Sequence, residues 1–267
     1  MKNILVSALL ALSCTTVFAA DAAPNHIDPA FAQVQTLIQA KNYSQAYQEL
    51  EKMGKAGNAQ ALYNLGFLTQ MGQGTAKDEK KALKFYQDSA SKGYPVANYV
   101  LAQSYANGAL GLAKDDKKAR EYLEKASAQG FDDATVELAI ILFSENKPAS
   151  DKQGLQKLEP LIKKGNFQAM HAKALYDISA GYKNKNEASI KQGLATIQDL
   201  AKKGYIPALM AVANMMTNGN IVQQNLPEAK NIYAALAKDN VPRAKESLDV
   251  VNKLIADKAK APAAAAK

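Results

Sequence analysis

Six times along the chain a small residue is followed four positions later by a bulky apolar one. The pairs are Ala46 and Leu50, Ala82 and Tyr86, Ala119 and Leu123, Gly154 and Leu158, Gly193 and Ile197, and Ala229 and Tyr233. Residues four apart share one face of a helix, so the small member lets a neighbouring helix approach while the bulky one fills the space beside it. Eleven positions after each small residue stands Gly57, Gly93, Gly130, Gly165, Gly204 or, in the sixth place, Asn240. Glycine, with asparagine as its usual substitute, accepts the left-handed backbone that closes a helix, so a helix is predicted to end at each of these markers. Four positions later comes an alanine again (Ala61, Ala97, Ala134, Ala169, Ala208, Ala244), which docks the next helix.

The markers recur at steps of 36, 37, 35, 39 and 36 residues, a period that signals a stack of two-helix units rather than one globular core. From small residue to docking alanine the distance is 15 in all six cases, whereas the return gaps are 21, 22, 20, 24 and 21. The junction between hairpins is thus fixed, and the turn inside each hairpin is expected to absorb the insertions. Asp28 with Pro29, and Asn225 with Glu228 three residues on, read as helix starts. No alternating strand pattern of useful length is found.

The segment "ALYNLGFLTQMGQGTAKDEKKALKFYQDSASKGY" (61–94) resembles one Sel-one-like repeat, a branch of the tetratricopeptide superfamily. Its carriers are Leu65-Gly66, Gly72 and Gly74, Asp78, Lys81-Ala82 and Lys92-Gly93-Tyr94; residues 97–131 match nearly as well, with Leu101-Ala102, Gly108, Gly111, Asp115, Lys118-Ala119 and Gly130. The next two repeats replace the glycine turn with "SENKPASDKQ" and "AGYKNKNEAS", and Lys173 falls where the others have Leu65, Leu101, Leu138 and Val212. The resemblance covers about residues 28–255. It implies an all-α, right-handed solenoid of stacked antiparallel hairpins, five to six repeats long, whose first helices line a concave side where partners bind.

The first residues, "MKNILVSALLALSCTTVFAADAAP", hold one lysine, an apolar run from Ile4 to Leu12 and small Ala19 and Ala20, the order of a secretory signal. Residues 1–19 are expected to be a signal peptide cleaved after Ala19 or Ala20, with 20–27 a linker and 256–267, "ADKAKAPAAAAK", a disordered tail. A membrane span is disfavoured by the short run with its Ser7, Ser13, Thr15 and Thr16, and lipid attachment at Cys14 by the absence of leucine three positions upstream. The expected location is therefore the periplasm. Cys14 is the only cysteine, so the mature chain would hold no disulfide, thiolate nucleophile or zinc thiolate cluster. The net charge of +8 comes from lysines spread through every repeat, with only Arg120 and Arg243 as arginines, which argues against nucleic-acid recognition.

Two positions after each docking alanine stand Tyr63, Tyr99, Val136, His171 and Met210, and six after it Phe67, Gln103, Ile140, Leu175 and Asn214. These lie roughly opposite the docked face and form a second stripe. Tyr63, Phe67, Tyr99, Gln103, His171 and Asn214 are the candidate binding residues, the aliphatic members being better read as core. No catalytic or metal-binding set is assigned and no cofactor is expected. His171 has no nucleophile or carboxylate placed by spacing, and Asp115-Asp116 and Asp132-Asp133 fall at helix starts, where the helix dipole accounts for them. The expected function is a non-enzymatic scaffold that holds a protein or peptide, an envelope protein or a secreted effector, as an immunity or adaptor protein. A hydrolase of cell-wall or β-lactam substrates is the alternative.

Overall fold

The computed structural model describes residues 29–260, and the expected signal segment, linker and Asp28 cap lie outside them. Among the described residues the fold is all-α, thirteen helices packed as sequential hairpins. They sort into two compact units. Residues 29–157 carry α1 (Pro29–Gln39), α2 (Tyr43–Lys55), α3 (Ala59–Met71), α4 (Glu79–Ser91), α5 (Pro95–Asn107), α6 (Asp116–Ala128), α7 (Asp132–Ser144) and the start of α8 (Pro148–Lys163). Residues 158–260 carry the rest of α8 and then α9 (Phe167–Asn184), α10 (Glu187–Lys202), α11 (Ile206–Asn218), α12 (Leu226–Lys238) and α13 (Ala244–Lys260). Helix α13 thus extends through residues 256–260, which the sequence reading placed in a tail.

The junctions are built alike. Gly57, Gly93, Gly130, Gly165 and Gly204 have φ between 77° and 92°, and Asn240 takes the same left-handed region at 55°. The following residue then donates its N–H back across the helix end. Asn58 bonds to Met53 at 3.0 Å, Tyr94 to Ser89 at 3.2 Å, Phe131 to Ala126 at 3.0 Å, Asn166 to Leu161 at 3.0 Å, Tyr205 to Leu200 at 3.0 Å and Val241 to Leu236 at 2.9 Å. These bonds satisfy carbonyls that a helix end leaves orphaned and reverse the chain within a few residues. All six docking alanines are fully buried, and so are the bulky partners from Leu50 to Tyr233.

Hairpin turns differ more. Helices α3, α5 and α11 close on Gly72, Gly108 and Gly219 in the left-handed region and continue into loops of several residues. At Gly74 a Cβ would lie 2.3 Å from the Tyr43 carbonyl oxygen, so glycine is required by close approach as well as by φ. The insertion expected to lengthen the turn after α9 lengthens helices instead: α9 has 18 residues and α10 has 16, joined only by Lys185 and Asn186. Lys185 adopts φ 54°, and Asn186 caps α10 by accepting the Ser189 N–H at 3.1 Å. Added helical turns keep every backbone group paired, whereas a longer loop would leave them to solvent. After α7 a polar knot does the work of the missing glycines, with Glu145 accepting from Arg120 at 2.7 Å and from Ser150 at 2.6 Å.

Candidate functional site

The second stripe is not uniformly open. Tyr63 is only 4% exposed and His171 5%, with Val136 fully buried. The cause is a ring contact that the single-helix view cannot supply. After three of the five marker glycines the next residue packs on the stripe residue of the preceding hairpin: Tyr94 on Tyr63 with centroids 5.3 Å apart, Phe131 on Tyr99 at 5.1 Å, and Tyr205 on His171 at 5.6 Å. These aromatics occupy the N-cap position of α5, α7 and α11, where they make no side-chain cap, while Asn58 and Asn166 in the same position cap α3 and α9 with 2.9 Å bonds. A lost cap costs about 1 kcal/mol, which burial of an aromatic ring more than offsets. Tyr63 and His171 are therefore buried beneath these rings, where the sequence reading expected them to face a groove.

His171 is neutral by the same logic. Burial holds its imidazole down at about 4, and Nε2 has no hydrogen-bond partner. A base needs an orienting hydrogen bond, and Nε2 of this ring has none.

The stripe positions six after the alanine stay nearer the surface. Phe67, Gln103, Ile140 and Leu175 are half-buried and Asn214 is exposed. One turn on from Phe67, Met71 is 55% exposed, so the end of α3 presents two apolar side chains on one face. Sequence reasoning passed over Met71, although its i+4 spacing from Phe67 was the available signal.

Tyr99 and Gln103 converge with a residue the sequence did not single out. The Gln103 amide donates to both oxygens of Glu137 on α7, at 3.0 and 2.8 Å, and the Tyr99 hydroxyl bonds the same carboxylate. Burial pushes the Glu137 carboxyl upward, with Asp133 one turn earlier adding to the effect, and desolvation with the adjacent charge raises the Tyr99 phenol as well. The stripe thus holds a buried acid, shared between α5 and α7 of one unit. Asn214 and His171 sit on α11 and α9 of the other unit.

Two lysines that accompany the small residues also find a reason. Lys81 lies over the rings of Tyr47 and Phe85 at 5.6 and 5.7 Å, and Lys118 over Tyr105 at 5.2 Å. Among the described residues no cluster of metal-binding side chains forms, and no helix is long and apolar enough to cross a membrane.

Comparison with family models matches residues 59–94 and 95–131 to the Sel1 repeat. Residues 59–131 thus carry two Sel1 repeats. The two matched repeats are the hairpins α3–α4 and α5–α6, each with the following junction. A Sel1 repeat protein from Oxalobacter formigenes superposes with a TM-score of 0.66 at 23% identity, covering 86% of this chain and 90% of that one. A protective antigen of uropathogenic Escherichia coli with this fold gives 0.61 at 22% identity over 79% of this chain, which spans 45% of that protein. An immunity protein from Pseudomonas aeruginosa gives 0.46 at 20% identity, covering 83% and 86%. Comparison with curated proteins finds no match. At these identities the likeness speaks for the Sel1-repeat fold alone.

Proposed function

We propose that this protein is an exported, non-catalytic Sel1-repeat scaffold that holds a protein or peptide partner on the concave side lined by the first helices of its hairpins. The observation that carries the reading is the split within the stripe. Tyr63 and His171, two after their docking alanines, are buried against neighbouring rings, whereas Asn214 and, one turn on from the half-buried Phe67, Met71 are exposed on the first helices. Partly apolar, partly amide side chains on a fixed framework suit a surface that is wet when free and dry when bound.

The chemistry of the described residues gives the hydrolase alternative no support, because Nε2 of His171 has no hydrogen-bond partner and the half-buried Glu137 carboxylate is tied to an amide and a phenol. Export rests on the signal segment read from residues 1–19, and with it the partner would be met in the periplasm in an immunity or adaptor role. The test is capture of a partner by the mature chain from an envelope extract, repeated with Phe67→Ala and Asn214→Ala. Loss of the partner with either variant, at unchanged melting temperature, supports the reading. Equal capture by both, or turnover of a wall or β-lactam substrate by the purified chain, overturns it.

A further inference from the structure

One hairpin is underpacked in a way the others are not. In two hairpins the residue nine after the docking alanine packs against the small residue of the second helix. A Cβ on Gly154 would lie 2.5 Å from the Phe143 ring, and one on Gly193 would lie 2.7 Å from the Ile178 side chain. In the hairpin α5–α6 the facing pair is Ala106 and Ala119, small against small, and the bulky position beyond is Leu123 where the preceding hairpin has Tyr86. Ala119 is accordingly half-buried, whereas Ala46, Ala82, Gly154, Gly193 and Ala229 are buried. A cavity of about 350 Å³ results, floored by Ala102, Ala106, Ala119, Leu123 and Ile141.

Its polar wall is unevenly charged. Glu137, Asp116 and Arg120 line it. The Arg120 guanidinium is already engaged by Glu145 at 2.7 Å and Glu124 at 3.1 Å, and the exposed Asp116 stands at 3.5 Å from Lys114. Among the described residues no ion pair includes Glu137, which is held by the amide of Gln103 and the hydroxyl of Tyr99. A carboxylate beside an aliphatic floor marks this spot as locally complementary to a cation on an apolar stem, against the chain's net charge of +8. Gln103 already occupies one lone pair on each oxygen of Glu137, so the parallel edge a guanidinium fork needs is taken. A compact ammonium, bonding through a single donor, suits what is left.

We infer that the cavity between α5, α6 and α7 is a binding site for a primary amine on an aliphatic stem, supplied by a lysine side chain of the polypeptide partner. The stem covers Ala106, Ala119 and Leu123, and the ammonium meets Glu137. The inference rests on the scaffold reading for the source of the lysine, but the cavity and its acid do not depend on it.

The test is titration of the full mature chain with Nα-acetyl-lysine methylamide, followed by NMR, against the norleucine analogue that lacks the amine. Saturable shifts confined to α5–α7 are expected for lysine and not for norleucine. Glu137→Gln, which keeps the hydrogen-bonding shape, and Ala106→Leu, which fills the cavity, should each weaken lysine binding by about tenfold or more while the chain remains folded by circular dichroism. Equal binding of norleucine, or undiminished lysine binding by both variants, overturns the site. Tighter binding of 1,5-diaminopentane than of the blocked lysine overturns the polypeptide source. Partner capture by the chain with no response to the lysine probe sinks this site and leaves the scaffold reading standing; a lysine response that needs Glu137 with no partner captured does the reverse.

Discussion

The ring of Tyr205 stands edge-on to His171 at 5.6 Å and 72°, and by closing over it converts a surface-facing helix position into core. The acid–base behaviour of the fold follows from this contact. The folded pKa of His171 is held at about 4 against 6.5, so the unfolded chain binds the extra proton first as pH falls. Stability tied to this group is complete above pH 6.5 and is lost progressively down to about pH 4, by up to about 3 kcal/mol. Chemical denaturation at pH 7 and pH 4.5 should show this loss in the native chain, and His171→Phe, which keeps a ring against Tyr205, should reduce it.

Glu137 has the opposite sign. Its folded pKa lies above the ordinary carboxyl value, so the folded state prefers the proton and the charged form weakens the fold as pH rises through that window. Glu137→Gln should therefore raise the melting temperature at pH 7, with the gain shrinking toward pH 4. A variant less stable than the native chain at pH 7 would mean that the hydrogen bonds from Gln103 and Tyr99 outweigh the cost of burying the charge.

Gly193 marks the closest helix approach of its hairpin. An added Cβ would lie 2.6 Å from the Ala174 carbonyl oxygen, a backbone atom that cannot move without shifting α9. Gly193→Ala should destabilise by about 1–3 kcal/mol despite alanine's better helix propensity. Urea denaturation measures it.

Asn240 sits at φ 55° where the five other junctions have glycine. Replacing it with glycine removes a Cβ penalty in the left-handed region, and Asn240→Gly should stabilise by about 0.5 kcal/mol, detectable as a small rise in melting temperature.

The junctions were legible in the sequence because each is set by a few adjacent residues. A positive-φ residue, a small residue 11 before it and an alanine four after it fix one local geometry, and Asn240 could be recognised as glycine's substitute from spacing alone. The split of the stripe was not legible, because the burial of Tyr63, Tyr99 and His171 depends on Tyr94, Phe131 and Tyr205, each more than thirty positions away on the next hairpin. Glu137 escaped notice for a like reason, its partners Tyr99 and Gln103 lying one repeat earlier. Length in a sequence does not reveal whether added residues continue a helix, and where a longer connection is expected at 180–189 the chain instead extends α9 to Asn184, with Gly181 inside it.

The scaffold reading is tested most directly by a photoreactive side chain placed at Phe67 or Asn214 on the first helices, and at the exposed Glu121 or Lys191 on the second, in the full chain inside cells. The account predicts a crosslink to the same partner from Phe67 and Asn214 and none from Glu121 or Lys191. A partner crosslinked from the second helices alone would contradict it.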